Sequence, residues 1–318
     1  MSTGRAFIFP GQGAQSVGMG WALADAFPAA KAVFDEVDDA LGEKLSSFIW
    51  EGPEEDLTLT ANTQPALMAV SVAAMRALEA EFGISVDAAD YVAGHSLGEY
   101  SALCAAGSIG VAETAKLLRI RGNAMQAAVA PGEGAMAALL GADTNQAEAA
   151  CAAGMAAAGG TCEIANDNAP GQLVLSGSAA AIDAACVHAR ENSVKKAVPL
   201  AVSAPFHCSL MEPAAEAMRE ALSGASINAP KVPLIANVSA AVTSDPEAIR
   251  DQLVMQVTGR VRWRETVEFM AVNGITGTAE AGAGKVLTVM NRRTARDIKG
   301  VTLGTPDDLQ AFAEALQA

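Results

Sequence analysis

The sequence is poor in aromatic residues and in positive charge. Of 318 residues, 4% are aromatic, and 21 Lys and Arg stand against 36 Asp and Glu, which gives a net charge of −15. Because binding to a nucleic acid or an anionic membrane surface needs clustered Lys and Arg, the composition argues against either as the main partner. A phosphate-bearing ligand would have to meet a local basic patch.

Long apolar runs are also missing. The longest uncharged stretch, residues 57–75, is interrupted by threonines, Asn62, Gln64 and Pro65, so it does not resemble a membrane span. Residues 1–10 lack the length and the small-residue cleavage site of a signal peptide. The five cysteines are scattered and never in CxxC spacing, which favours reduced thiols over disulfides or a metal site. These features predict a cytoplasmic protein without a metal.

The remaining composition, 51% hydrophobic and 18% charged, is sufficient for a full core. Strand-like segments at residues 6–9 and 91–93 alternate with helical periodicity at residues 28–41 and 64–82. Such alternation predicts an α/β fold with a mainly parallel sheet covered by helices.

The pattern changes between residues 131 and 203. Its successive segments predict strand, helix, strand, strand, helix and strand, at residues 134–140, 145–158, 162–165, 172–176, 179–191 and 196–202, with a turn at 166–171. The order β-α-β-β-α-β is the ferredoxin-like arrangement. We therefore predict a ferredoxin-like subdomain at residues 131–203, inserted into a larger α/β domain formed by residues 1–130 and 204–318.

The most informative segment, residues 91–103 (YVAGHSLGEYSAL), runs from a strand through GxSxG into a helical pattern. This is the context of a nucleophile elbow, in which Gly94 and Gly98 permit a sharp turn that exposes Ser96. The alternative is an ordinary helix start with Ser96 as its N-cap. The flanking pattern favours a catalytic Ser96.

A serine nucleophile needs a base, and the chain has three histidines. His95 is adjacent to Ser96 and is held by the turn, and His188 falls in a predicted subdomain helix. His207 follows the last subdomain strand and is the base by elimination, although a helix-capping histidine is the alternative. Cys208 carries no mark of an activated thiol.

Three aspartates lie between Ser96 and His207, where a hydrolase would place a third triad member: Asp143, Asp167 and Asp183. The sequence does not exclude any of them from that role.

A tetrahedral intermediate also needs two N–H donors. Leu97, the residue after the nucleophile, supplies one, and Gln12 in the glycine-rich loop 9–15 is the expected second. A dinucleotide-binding loop is excluded because Ser16 replaces the third glycine of GxGxxG, and residues 282–286 lack the pattern of a P-loop.

Several ordered motifs together resemble the malonyl-CoA:acyl carrier protein transacylase family of bacterial fatty acid synthesis. They are FPGQGAQ at 9–15, GHSLGEYSAL at 94–103, RIRG at 119–122, IANDNAPGQLVLSG at 164–177 and APFH at 204–207. The resemblance covers essentially the whole chain, and the family's fold, a hydrolase-like α/β core with a ferredoxin-like insertion, matches the organisation above. One departure is Ala283, where the family usually has proline.

The resemblance implies a ping-pong transfer of malonyl from coenzyme A through Ser96 to the phosphopantetheine thiol of acyl carrier protein, without a cofactor. His207 would act as base and then acid, and Arg121 would bind the malonyl carboxylate. The backbone carbonyl at Gln256 would orient the histidine. Phe206 matches the malonyl-selective form of its segment, since it fills the space of a methyl branch.

Asn166 and Gln64 are further candidates for lining the pocket, although a turn and a helix start account for them equally well. Arg119, two positions before Arg121 on a helical stretch, is expected to point elsewhere as a surface charge.

Two other classes compete with this interpretation. A serine esterase or thioesterase would use the same Ser96 and His207 with water as acceptor, but it would have no use for a buried Arg121. A non-catalytic binding module would not need the intact nucleophile, base and oxyanion loop.

Both malonyl-CoA and acyl carrier protein are anionic, so local positive charge should receive them. The candidates are Lys195 with Lys196, residues 260–264 (RVRWR), and Lys285 with Arg292 and Arg293. Each could equally be a solvated face. We expect a discrete, monomeric enzyme.

Overall fold

The computed structural model of the protein describes residues 4–202 and 204–317. The strands are β1 (Arg5–Phe9), β2 (Tyr91–Gly94), β3 (Gly134–Leu140), β4 (Cys162–Ala169), β5 (Gln172–Ser178), β6 (Lys196–Pro199), β7 (Leu234–Ile235), β8 (Val242–Thr243), β9 (Gly277–Ala281) and β10 (Lys299–Leu303).

The helices surround these strands. They are α1 (Trp21–Ala26), α2 (Pro28–Leu41), α3 (Leu45–Glu51), α4 (Glu54–Thr58), α5 (Thr60–Phe82), α6 (Gly98–Ala105), α7 (Val111–Ala127), α8 (Thr144–Ala158), α9 (Ala179–Glu191), α10 (Glu212–Ser223), α11 (Pro246–Thr258), α12 (Trp263–Val272), α13 (Val286–Thr294) and α14 (Pro306–Gln317). Within the described ranges, none of them is long and apolar enough to cross a membrane.

The large sheet has the strand order β10-β9-β1-β2-β7-β8 among the described residues. All of its neighbouring strands are parallel except the short pair β7 and β8. The apolar run of β1 is fully buried, as expected for a central parallel strand covered on both faces. The prediction of an α/β fold with a mainly parallel sheet is confirmed.

Helix α5 lies under the functional site and packs against α2 and α7. Most of its length is buried, and its Ala-rich sequence lets neighbouring helices approach closely in a core with few aromatic rings.

The second sheet, in the order β4-β5-β3-β6, is antiparallel throughout. With α8 and α9 it follows the chain order β-α-β-β-α-β, which fits the ferredoxin-like arrangement. The bounds of β3 and α9 agree with the sequence-based prediction. The domain boundaries at residues 131 and 203 stay a prediction.

Most predicted bounds in this region lie within two residues of the observed ones, but two were wrong by three residues or more. Asn166 and its neighbours were assigned to a turn, but β4 continues to Ala169, because Asp167 N–H bonds to the carbonyl of Val261 in addition to the pairing with β5. The last strand ends at Pro199 and not at residue 202. Leu200 N–H still donates to the Met136 carbonyl of β3, but Val202 N–H bonds back to the Leu200 carbonyl, so the chain turns there. Ser203 lies outside the described residues.

Candidate active site

Ser96 lies in the turn between β2 and α6, at the carboxyl end of the parallel sheet. Its φ of 53° is a strained value for a residue other than glycine. A Cβ on Gly94 would lie 1.9 Å from the carbonyl carbon of Gly98, and a Cβ on Gly98 would lie 2.2 Å from the carbonyl oxygen of Phe9. Only glycine fits at these two positions, so the GxSxG pattern has a direct steric cause.

His207 contacts Ser96 directly. The distance between Ser96 Oγ and His207 Nε2 is 2.8 Å, and His207 Nδ1 lies 2.9 Å from the backbone carbonyl oxygen of Gln256. Because a carbonyl oxygen can only accept, Nδ1 carries the proton and Nε2 is free to accept the Ser96 hydroxyl proton. The histidine is therefore in the tautomer that a general base requires.

The surroundings keep His207 neutral. Burial lowers the pKa of His207 to about 3, and the positive charge of Arg121 acts in the same direction. A neutral imidazole can take a proton, whereas an imidazolium cannot. A histidine in these surroundings stays neutral, and so able to accept a proton, over the physiological pH range.

Two amides that the sequence analysis did not single out for this purpose hold the backbone of Ser96. Asn237 Oδ1 accepts from Ser96 N–H at 2.8 Å, and Gln256 Nε2 donates to the Ser96 carbonyl at 3.0 Å. Asn237 follows the short strand β7 and also donates to the Gly94 carbonyl at 2.6 Å. The buried carboxylate of Glu99 accepts from the side-chain amide of Gln256 and from the backbone N–H of Asn237.

Arg121, on α7, reaches the same site. Its side chain is 1% exposed; Nη1 donates to Gln64 Oε1 at 2.8 Å, and Nη2 donates to Gln256 Oε1 at 2.7 Å and to Ser96 Oγ at 3.3 Å. Within the described residues, no carboxylate forms an ion pair with this guanidinium.

A buried cation is expensive unless an anion pairs with it. Burial lowers the pKa of Arg121, while the neighbouring Tyr100 and Glu99 act to raise it, and an arginine stays charged under such conditions. The position beside the nucleophile therefore suits an anionic group on the ligand.

These groups open into a cavity of about 350 Å³. The predicted site residues that line it are Gln12, Gln64, Ser96, Leu97, Arg121, Asn166, Phe206 and His207. Gln256 is not part of this lining, but it contacts two of the lining residues, His207 and Arg121.

Within the described residues, no protein group accepts a hydrogen bond from the two predicted oxyanion donors. Among residues 4–202 and 204–317, the backbone N–H groups of Gln12 and Leu97 have no hydrogen-bond acceptor, while the Gln12 side chain is fixed by a 3.3 Å bond to Thr60 Oγ1. Leu97 is buried, and a buried N–H group normally finds a partner, whereas Gln12 is exposed. Free donors beside a nucleophile are what an oxyanion hole provides.

Other sequence candidates lie outside the reacting centre. His95 Nε2 hydrogen-bonds Asn168 Oδ1 at 2.8 Å, and His188 lies on α9. The thiol of Cys208 donates to the Pro205 carbonyl at 3.2 Å, and burial raises its pKa, so it is not an activated nucleophile.

No acid occupies the third position of a triad in the described part of the chain. Asp143 caps helix α8, Asp167 pairs with Arg264 at 2.8 Å, and Asp183 lies on α9. The partner of His207 Nδ1 is the carbonyl of Gln256. The alternative of a Ser-His-Asp triad, left open by the sequence, is not what these residues form.

The candidate basic patches differ in how far acids neutralise them. Arg262 pairs with Glu265, and Arg264 pairs with Asp167 and Glu268. In the described ranges no ion pair involves Lys195, Lys196, Lys285, Arg292 or Arg293.

Arg119 points away from the site, as expected, but it is not a free surface charge. Its guanidinium pairs with Glu43 and donates to Asn62, and its side chain is 20% exposed.

A half-buried serine on a glycine-flanked turn, a neutral histidine and two open N–H donors define a serine-dependent enzyme of acyl chemistry on an α/β scaffold. The chain belongs to the acyl transferase domain family, which matches residues 6–308. The predicted family resemblance is confirmed.

Proteins similar in sequence and in structure match over nearly the whole chain. The malonyl CoA-acyl carrier protein transacylase of Bacillus subtilis (strain 168) is 43% identical over 98% of this chain and 97% of its own length. The solved acyl-carrier-protein-S-malonyltransferase of Bartonella henselae is 55% identical, with a TM-score of 0.96 and full coverage of both chains.

A third similar structure is a malonyl-transacylase in complex with a type II polyketide synthase acyl-carrier protein. It is 40% identical over 98% of this chain and 99% of that chain, with a TM-score of 0.93.

Proposed function

We propose that this protein transfers the malonyl group from malonyl-CoA to the phosphopantetheine thiol of acyl carrier protein, in fatty acid synthesis. The observation that carries the proposal is the buried guanidinium of Arg121, which lies 3.3 Å from the nucleophile and has no carboxylate in ion-pair contact among the described residues. Malonyl is a short acyl group that ends in a carboxylate, so one substrate can address both Ser96 and Arg121.

In the first half of the reaction, Ser96 Oγ attacks the thioester carbonyl while His207 Nε2 takes its proton. The N–H groups of Gln12 and Leu97 stabilise the resulting oxyanion. When the intermediate collapses, the C–S bond breaks, and His207 returns the proton to the departing thiolate of coenzyme A. The products are free coenzyme A and malonyl-Ser96.

The second half uses the same groups in reverse. The phosphopantetheine thiol gives its proton to His207 and attacks the Ser96 ester, and the collapse of the intermediate returns the proton to Ser96 Oγ. The carbonyl of Gln256 holds the imidazole in place in both halves. These steps use only side chains and backbone groups of the chain, and we propose that no cofactor or metal takes part.

Arg121 selects the acyl group. Its planar pair of N–H donors matches a carboxylate, and Gln64 and Gln256 hold it on two sides. An acetyl group would leave the buried charge unpaired, which disfavours it. Phe206 and Asn166 line the same cavity and limit the space beside the acyl chain.

The phosphopantetheine arm carries an anionic phosphate. Lys195, Lys196, Arg292 and Arg293 offer positive charge that no acid in the described ranges neutralises. We propose a cytoplasmic enzyme, in which residues 131–203 form the smaller subdomain beside the cleft. A monomeric state stays a prediction.

The test is mass spectrometry of the intact protein, mixed first with malonyl-CoA and then with phosphopantetheinylated acyl carrier protein. We expect an adduct of one malonyl group on Ser96 that persists in buffer and disappears when the carrier is added, with the same mass gained by the carrier. Ser96→Ala should form no adduct. The control is Ser101→Ala, which changes a buried serine on helix α6, just after the Ser96 turn, and should form the adduct normally.

The esterase alternative gains no support from the comparisons. It would still be recognised in this experiment, because the adduct would be lost to water at the same rate with and without the carrier. That outcome, or the absence of an adduct, would contradict the proposed transfer.

A further inference from the structure

Glu99 is a carboxylate in the interior, directly behind the reacting centre. It is 1% exposed and lies in the first turn of α6. Its Oε2 accepts from Gln256 Nε2 at 2.5 Å and from the backbone N–H of Asn237 at 3.4 Å, while Oε1 is buried without a hydrogen-bond partner among the described residues. Burial of an acid without an ion pair is costly, so a compensating role is expected.

Both partners of Glu99 hold the nucleophile. Asn237 accepts from Ser96 N–H, and Gln256 donates to the Ser96 carbonyl. Since Ser96 has the strained φ of 53°, the two amides fix a conformation that the residue would otherwise leave. Glu99 Oε2 binds the side-chain amide of Gln256 and the backbone N–H of Asn237, so it links both residues.

Glu99 also supports the orientation of the Gln256 side chain. Gln256 Nε2 lies between Glu99 Oε2, which accepts from it, and the Ser96 carbonyl, which can only accept. The amide oxygen must then face Arg121 Nη2, which can only donate. The same residue's backbone carbonyl receives His207 Nδ1. One carboxylate therefore supports the placement of nucleophile, base and arginine together.

We propose that Glu99 is a positioning residue of the transfer reaction, which holds Gln256 and Asn237 so that Ser96 and Arg121 address the same acyl group. In this role Glu99 touches no substrate and acts through the side-chain amide of Gln256 and the backbone of Asn237. This inference rests on the proposed function, because its measure is the rate at which Ser96 is malonylated.

Two substitutions separate placement from charge. Glu99→Gln keeps the length and an acceptor oxygen but loses the charge, whereas Glu99→Asp keeps the charge but withdraws the acceptor by one methylene. We expect the maximal rate of Ser96 malonylation to stay within about threefold of wild type in Glu99→Gln. In Glu99→Asp we expect it to fall by about tenfold or more, because a shift of about 1 Å in a reacting group is enough for such a loss.

The readout is rapid-quench mass spectrometry over a range of malonyl-CoA concentrations, which separates the maximal rate from the half-saturation concentration. Thermal melting of each variant reports folding. A purely structural role would lower the melting temperature but leave the maximal rate per folded molecule unchanged. If Glu99→Asp does not fold, Glu99→Met keeps the length without an acceptor and should show the same loss of rate.

A wild-type rate in Glu99→Asp would overturn the inference. A Glu99→Gln enzyme as slow as Glu99→Asp would overturn it too, since an acceptor at the original distance would then not be sufficient for the rate. These failures are distinct from failure of the proposed function, in which the wild-type protein itself forms no malonyl adduct.

Discussion

The active site has two halves that differ in how their polar groups are satisfied. In the anchored half, Ser96, His207, Gln256 and Asn237 bond to one another and to the chain behind them. In the open half, the N–H groups of Gln12 and Leu97 have no acceptor within the described residues, and Arg121 has no ion pair there.

The difference assigns separate tasks to the two halves. The protein's own hydrogen bonds place the reacting groups in advance, and the donors left open match charges that only the substrate and its intermediate carry. The two halves can therefore be broken separately, and each should lose a different part of the reaction.

The largest effect is expected from removing one N–H donor of the open half. Gln12→Pro removes the backbone N–H, and Gln12→Ala keeps it while removing the side chain and its bond to Thr60. We expect Gln12→Pro to slow Ser96 malonylation by about 100- to 1000-fold, the usual loss for one oxyanion donor. Gln12→Ala should be affected by less than about tenfold.

Rapid-quench mass spectrometry of both variants measures this difference, and the melting temperature identifies any variant whose loop or fold is disturbed. Equally slow rates in the two variants would show that the side chain of residue 12, and not its N–H, serves the reaction. Wild-type rates in both would remove residue 12 from the oxyanion hole.

Much of the anchored half was accessible to the sequence because local patterns encode it. The GxSxG turn required glycine at Gly94 and Gly98 for reasons that the structure makes steric, and His207 followed from the scarcity of histidine. The helices and strands with clear periodicity, such as α2 and β3, have the predicted bounds.

The remainder depended on contacts between distant residues. Asn237 meets Ser96 from 141 positions away, and its short strand β7 carries no pattern that marks a site. Glu99 does stand out in the sequence, because it is the one charged residue in the otherwise uncharged helix α6. Asn166 was assigned to a turn because turn-forming residues follow it, but pairing with β5 keeps it in a strand.

The second largest effect is expected from removing the positive charge of Arg121, in the open half. Arg121→Ala should lower malonyl loading by about ten- to a hundredfold, because a charge-assisted hydrogen bond contributes about 1.5–3 kcal/mol. Acetyl loading should change far less, so the malonyl preference should fall. Competition between malonyl-CoA and acetyl-CoA, read by the masses of the two adducts, measures the ratio.

Arg119→Ala is the matched control for this substitution. It lies two positions earlier on α7 and loses an ion pair with Glu43 and a bond to Asn62, but it contacts none of the reacting groups. Its acyl preference should equal that of wild type. An unchanged preference in Arg121→Ala would remove the guanidinium from substrate selection.

The smallest effect is expected from pH, which probes the anchored half without mutation. Burial, with Arg121 and His95 acting in the same direction, lowers the pKa of His207 from 6.5 to about 3. A lowered pKa keeps the imidazole neutral, so the active base is present above about pH 3 and is lost only as the pH falls through that value. Since kcat/KM reports the free enzyme, it should change by less than about twofold between pH 7.5 and 5.5.

A malonyl thioester of pantetheine is the suitable substrate for this profile, because it lacks the titrating phosphates of coenzyme A. Glu99 is the other group near the site that titrates in the range, since burial raises its pKa to about 7. An inflection near pH 7 that disappears in Glu99→Gln therefore belongs to that carboxyl. An inflection near pH 6.5 that persists in Glu99→Gln would instead show an ordinary histidine, and the anchored half would not hold its base in the neutral form that the geometry indicates.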